Sequence, residues 1–193
     1  MWAVLVVSHT GQLMEQTALT GSRIGARFAS GYARTLLHVV SIPAVIAMAV
    51  IVFLLALWRG SRRRALWAAG TIAATNASAQ LLKHTLLWRP DFGLSQRWDA
   101  ANTLPSGHTA VAASTAVALV LVVGARWRSL TAWVGALLAA AMGYSTLVCQ
   151  WHRPGDVMAA LLLAVGWGAV AVACGAWAND EPAPGGRTGP DDS

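Results

Sequence analysis

His152-Arg153-Pro154-Gly155-Asp156 sets an imidazole and a carboxylate four residues apart. On a helix beginning near Trp151 the two share a face one turn apart, so Asp156 can hold the Nδ1 proton. That leaves Nε2 of His152 as a nucleophile or base. The same spacing also suits an aspartate that caps a helix beside an interfacial histidine. Pro105-Ser106-Gly107-His108 precedes an apolar run. Its hydroxyl and backbone N–H groups would meet at a positive helix end, a ready anion site, with His108 placed to give a proton to a departing oxygen. Read alone, Pro-Ser-Gly is ordinary turn chemistry. Lys83 and Arg89 are two cations near the end of another apolar run, where singly each reads as a snorkelling or terminal residue. Taken together, two cations, a hydroxyl, two imidazoles and a carboxylate fit substitution at the phosphorus of a tetrahedral anion.

These residues come from three distant stretches, so the intervening elements must bring them together. The chain has 193 residues, of which 56% are hydrophobic and 11% charged, with a mean hydropathy of +0.53. The charged fraction is less than half that of an ordinary soluble domain, which argues against a soluble enzyme. Five runs approach the length a bilayer core demands: 36–58, 65–88, 109–125, 130–148 and 157–177. None shows barrel-like alternation, so the expected class is all-α: an integral membrane bundle of five full transmembrane helices. Gly135, Gly143, Gly166 and Gly168 are placed to let such helices approach closely. Asn76, Ser78 and Gln80 inside the second run suit helix-to-helix hydrogen bonds or a polar path.

Residues 1–7 are apolar but too short to cross, and read as a short or truncated N-terminal helix. An interfacial segment follows, with Leu13, Met14, Leu19, Ile24 and Phe28 toward the bilayer and Arg23, Arg27 and Arg34 toward headgroups. The chain thus divides into an N-terminal stub and interfacial segment (1–35), a transmembrane domain (36–177) and a disordered tail (178–193). The net charge of +6 rests on arginines at the ends of apolar runs, a membrane pattern rather than a nucleic-acid groove. Arg59, Arg62, Arg63, Arg64, Arg126 and Arg128 fall on one side, expected to be cytoplasmic with the C-terminus. The three chemical stretches then share the opposite, extracytoplasmic face. Cys149 and Cys174 lie too far apart along their run to pair.

In order and spacing, Lys83 to Arg89-Pro90, Pro105-Ser106-Gly107-His108 and His152 to Asp156 resemble the three-part signature of the type 2 phosphatidic acid phosphatase superfamily. The resemblance implies that His152 attacks phosphorus and forms a phosphohistidine, that Asp156 orients it and that His108 protonates the leaving oxygen. It implies that Lys83, Arg89, Ser106 and the Gly107 backbone hold the phosphate, without metal or cofactor. A soluble vanadium haloperoxidase sharing these motifs is disfavoured by the hydropathy. Two features depart from the signature. Five residues rather than six separate Lys83 from Arg89, which on one continuous helix would point them about 120° apart. The helix is therefore expected to end before Arg89, helped by Pro90. Ser145-Thr146 stands where the family has Ser-Arg, so Thr146 offers a hydroxyl without charge. Arg153 is the first candidate to supply the missing guanidinium and Arg97 the second. The implied function is an inner-membrane lipid phosphatase acting on polyprenyl pyrophosphate, phosphatidic acid or phosphatidylglycerol phosphate. The alternative is a non-catalytic lipid-phosphate-binding scaffold or transport component.

Overall fold

The computed structural model describes residues 1–22, 31–35, 42–58, 62–94 and 102–178. These are helical, with no strand among the described residues. In chain order the helices are α1 (Trp2–Leu5), α2 (His9–Gly21), α3 (31–35), α4 (Ile42–Trp58), α5 (Arg62–Leu81), α6 (Gly107–Val122), α7 (Ala125–Val148) and α8 (Pro154–Ala173). A π-helical turn, Leu82–Leu86, continues α5. Of the sequence features, Ile24, Phe28, Arg23, Arg27, Arg59 and Arg97 lie outside the described residues, as does the tail from 179.

α6 is the centre of the bundle and packs on α5, α7 and α8, while α4 packs on α5. Contacts are made by small side chains. Ala56, Ala65, Ala68 and Ala118 are wholly buried with Val52, Ile72 and Val122, and Ala79, Ala110 and Ala160 join α5, α6 and α8. Such residues let backbones approach where lipid gives no hydrophobic drive between helices. A Cβ on Gly143 would come within 2.6 Å of Val157 Cγ1, so that glycine sets the α7–α8 approach. Gly135 and Gly168 likewise abut Ala116 and Val117 of α6, whereas Gly166 faces open space. Asn76 Nδ2 donates to Ser114 Oγ at 3.2 Å and Trp167 Nε1 to Ser78 Oγ at 3.1 Å, so Asn76 and Ser78 of α5 both bond neighbouring helices. Gln80 is exposed.

Among the described residues two helices, α7 and α8, are long and apolar enough to cross a membrane. α6 is shorter than the run that encodes it, because Gly124 starts a new helix and ends the old one at Val122. α4 is apolar throughout its 17 residues, while α5 opens on three arginines. The interfacial helix differs from expectation in which face it buries. Leu13 and Met14 are exposed as read, but Leu19 is buried, together with the polar pair Gln12 and Glu15. α2 therefore turns Gln12, Glu15 and Leu19 toward the protein and Leu13 and Met14 outward. Both cysteines are free.

Candidate active site

The α7–α8 turn is built by helix termination. Thr146 is fully buried, and its carbonyl accepts from Trp151 N at 2.9 Å and His152 N at 3.3 Å, while Gln150 N reaches Leu147 O at 2.9 Å. This is a Schellman ending with Gln150, φ 60°, in the left-handed position that glycine usually takes. The Gln150 side chain fixes it by donating to Leu19 O at the end of α2. His152 leaves this turn just before α8, whose first residue is Pro154 rather than a residue near Trp151. Proline has no N–H to lose at that position.

The imidazole and the carboxylate nevertheless meet: His152 Nδ1 lies 3.3 Å from Asp156 Oδ2. The same oxygen accepts from Arg153 N at 2.9 Å and Thr103 Oγ1 at 2.6 Å. Asp156 thus caps α8 and faces the histidine at once. Burial pushes the Asp156 pKa up, but the His152 contact, the Arg153 N–H and the Thr103 hydroxyl outweigh it and hold the carboxyl below its ordinary value. Arg153 NH1 donates to Thr103 Oγ1 at 3.0 Å, and the arginine is only 1% exposed. Thr103 therefore relays between guanidinium and carboxylate.

Ser106 caps α6: its Oγ accepts from Thr109 N at 3.4 Å and Thr109 Oγ1 at 3.0 Å, which leaves its own proton for another acceptor. Ser106 N donates to Asp156 O at 2.9 Å, tying this turn to the α8 turn. The N–H groups of Gly107 and His108 open α6 and have no intrahelical partner by construction, and Gly107 has open space where a Cβ would stand. His108 lies 5.6 Å, ring to ring, from Trp151. Burial first, then the charges of His152 and Lys83, push its pKa below the ordinary histidine value. His108 and Asp156 both stand at helix mouths, just before the apolar runs 109–125 and 157–177.

The helix carrying Lys83 does end before Arg89. The π turn closes with Leu87 N on Leu82 O at 2.9 Å, and Leu87 is extended. The extended chain after this i→i+5 turn frees Arg89 from the azimuth that a continuous helix would impose. Asn102 Nδ2 pins this exit by donating to Leu87 O at 3.0 Å and Lys83 O at 3.3 Å. Arg89 NH2 donates to Gln12 Oε1 at 2.9 Å, and its charge interacts with Asp156 and Arg153. Lys83 also interacts with the Asp156 charge. Lys83, Arg89, Ser106, Gly107, His108, His152, Arg153 and Asp156 are therefore gathered at one end of α5, α6 and α8. The Thr146 hydroxyl donates to Gly143 O at 2.7 Å, within its own helix.

Four contributors escaped the sequence reading. Asn102 and Thr103 immediately precede the Pro-Ser-Gly-His turn, and that adjacency was the only signal. Gln12 and Glu15 come from α2, whose other polar residues His9, Thr10, Gln16, Thr17 and Thr20 gave no signal that these two are the buried pair. Glu15 Oε1 accepts from Gly155 N at 2.5 Å, and Oε2 is buried without a hydrogen-bond partner. Burial, aided by Asp156 and opposed by the Gly155 N–H, Arg153 and Arg89, raises the Glu15 pKa to about 7. Among the described residues no group of three or more His, Cys, Asp or Glu gathers as a metal site.

Residues 64–180 match the family model described as the PAP2 superfamily, which is more than half of the chain. The chain belongs to the PAP2 superfamily. Members are generally phosphatases, which supports a phosphoester hydrolase acting on lipid or related phosphates. Comparison with curated proteins and with solved structures returned no match.

Proposed function

We propose that the protein is an integral membrane lipid phosphatase that cleaves a phosphomonoester or pyrophosphate from a lipid headgroup. The observation that carries this reading is the convergence of His152, Asp156, Ser106 and His108 through the Ser106–Asp156 backbone bond and the His108–Trp151 contact. His152 Nε2 attacks phosphorus while Asp156 holds the Nδ1 proton and balances the imidazolium charge. The P–O bond to the leaving group breaks, and His108 gives its proton to that oxygen. Water then attacks the phosphohistidine, losing its proton to His108 and returning His152 as phosphate leaves. Lys83, Arg89, Arg153, Ser106 and the first N–H groups of α6 offset the charge on the equatorial oxygens. Arg153 serves in place of the arginine absent at Thr146. Donors and cations supply all of this stabilisation, so the reaction is expected to proceed without metal.

A bilayer setting is supported by the outward faces of α7 and α8, where Leu130, Trp133, Leu137, Leu162 and Val165 are all more than half exposed. Apolar surface of this extent suits lipid rather than water. In this reading α4 and α5 complete the spans with α6, α7 and α8, and the site lies at the extracytoplasmic rim with the C-terminus cytoplasmic. A groove of about 540 Å³, lined by Leu82, Leu87, Leu104, Leu162, Leu163 and Trp167, adjoins Pro105 and hence the phosphate site. It suits the hydrocarbon chain of the substrate.

Purified protein in detergent, given short-chain phosphatidic acid or a polyprenyl pyrophosphate with EDTA present, is expected to release inorganic phosphate. Headgroup binding without release would instead favour the non-catalytic scaffold.

A further inference from the structure

α2 lies outside the segment matched by the family, yet it is bonded to two of the three motif stretches. Gln12 and Glu15 are three residues apart on one helical face, 2% and 4% exposed. Gln12 Oε1 accepts from Arg89 NH2 at 2.9 Å, and its Nε2 donates to Pro90 O at 2.8 Å and Val6 O at 2.7 Å. Every polar atom of the side chain is thus engaged, and Gln12 holds both the Arg89 guanidinium and the carbonyl of the next residue. Glu15 accepts the Gly155 N–H, the first free donor of α8 after Pro154. A Cβ at Gly155 would stand 2.4 Å from Glu15 Oε1, so the glycine is what lets the carboxylate reach the helix end. The far end of α2 is fastened as well, through Gln150 Nε2 to Leu19 O and Ser22 Oγ, both 2.8 Å.

We infer that α2 is a clamp, with Gln12 and Glu15 as positioning residues that set Arg89 and the start of α8 against each other across the phosphate site. The inference rests on reading that site as a phosphate site. Its physical basis is that Arg89 follows a helix exit and an extended stretch, with no helix of its own to fix its side chain. A guanidinium so placed needs an acceptor to hold it where the anion arrives. On the other side, His152 and Asp156 flank the turn whose N–H Glu15 accepts. One rigid helix spanning both holds fixes their separation, while its outward residues Leu13 and Met14 remain free to face lipid.

The test uses the full chain in detergent, with equilibrium binding of inorganic phosphate and the KM and kcat for short-chain phosphatidic acid. Gln12→Met keeps the side-chain length and removes the acceptor; Glu15→Leu removes the acceptor for Gly155. Each is expected to weaken phosphate binding and raise KM at least fivefold. Glu15→Gln, which restores an acceptor, is expected to recover most of the affinity, and Leu13→Ala on the outer face to match wild type. Wild-type phosphate affinity in folded Gln12→Met, or in folded Glu15→Leu, would overturn the clamp. Phosphate binding without turnover in the wild type would count against the phosphatase reading alone, since the binding contrasts still decide the clamp.

Discussion

The backbone N–H of Ser106 donates to the carbonyl of Asp156, 50 residues further along the chain, at 2.9 Å. That bond sets the N-termini of α6 and α8 side by side, so two positive helix ends point into one small volume. The imidazoles of His108 and His152 leave from the same two turns.

Thr103 is the joint most open to a direct test, because its hydroxyl is both acceptor for Arg153 and donor to Asp156. Thr103→Val keeps shape and removes both bonds. A hydrogen bond to a buried charged group contributes about 1.5–3 kcal/mol, so with both removed kcat/KM is expected to fall roughly 10- to 100-fold. Steady-state phosphate release measures it; a change under twofold would show that the relay is idle.

Arg153→Ala is expected to lower kcat/KM for a phosphomonoester at least tenfold, with Arg153→Lys recovering only part, since lysine cannot reproduce a guanidinium fork. Thr146→Arg should not restore the loss. The site at Thr146 is fully buried, and a longer side chain there overpacks the α7 end that carries His152. The double variant assayed beside each single one decides between these roles.

The pH profile follows from His108. Its pKa is held below the ordinary histidine value in the free protein, and the mechanism needs it protonated, so kcat/KM should decline as pH rises through that lowered value. A bound phosphate dianion favours the imidazolium, so the corresponding limb of kcat should lie at higher pH. His108→Asn should remove both limbs. Coincident limbs in kcat and kcat/KM would contradict the assignment.

The sequence made the motif residues legible and hid part of their support. Three motif stretches with distinctive residue types named His152, His108 and Asp156 before any fold was known, and Pro90 together with the short spacing located the helix end before Arg89. Thr103 and Asn102 were invisible because turn residues of that kind are common and their partners lie far off in sequence. Gln12 and Glu15 were hidden for the opposite reason. An interfacial helix is expected to point polar residues outward, and here the polar face meets a charged site instead. The span count was the least legible feature, since apolar runs give length while glycine and arginine decide where helices stop.

Packing offers a check on stability independent of chemistry. Gly143→Ala forces a methyl group against Val157 Cγ1, and overpacking of this kind costs about 1–3 kcal/mol. Thermal unfolding in detergent should show a lowered midpoint. Because Val157 adjoins Asp156, some loss of turnover should accompany it.

The central claim is that His152 takes the phosphoryl group while His108 serves the leaving oxygen. Rapid acid-free quenching of enzyme mixed with a substrate labelled in its phosphoryl group, followed by peptide mass spectrometry, reads it directly. The account predicts label on His152 at a level approaching one per active site, and none in His152→Ala, which should also release no phosphate. Sustained phosphate release by His152→Ala, or label on another residue, would contradict it.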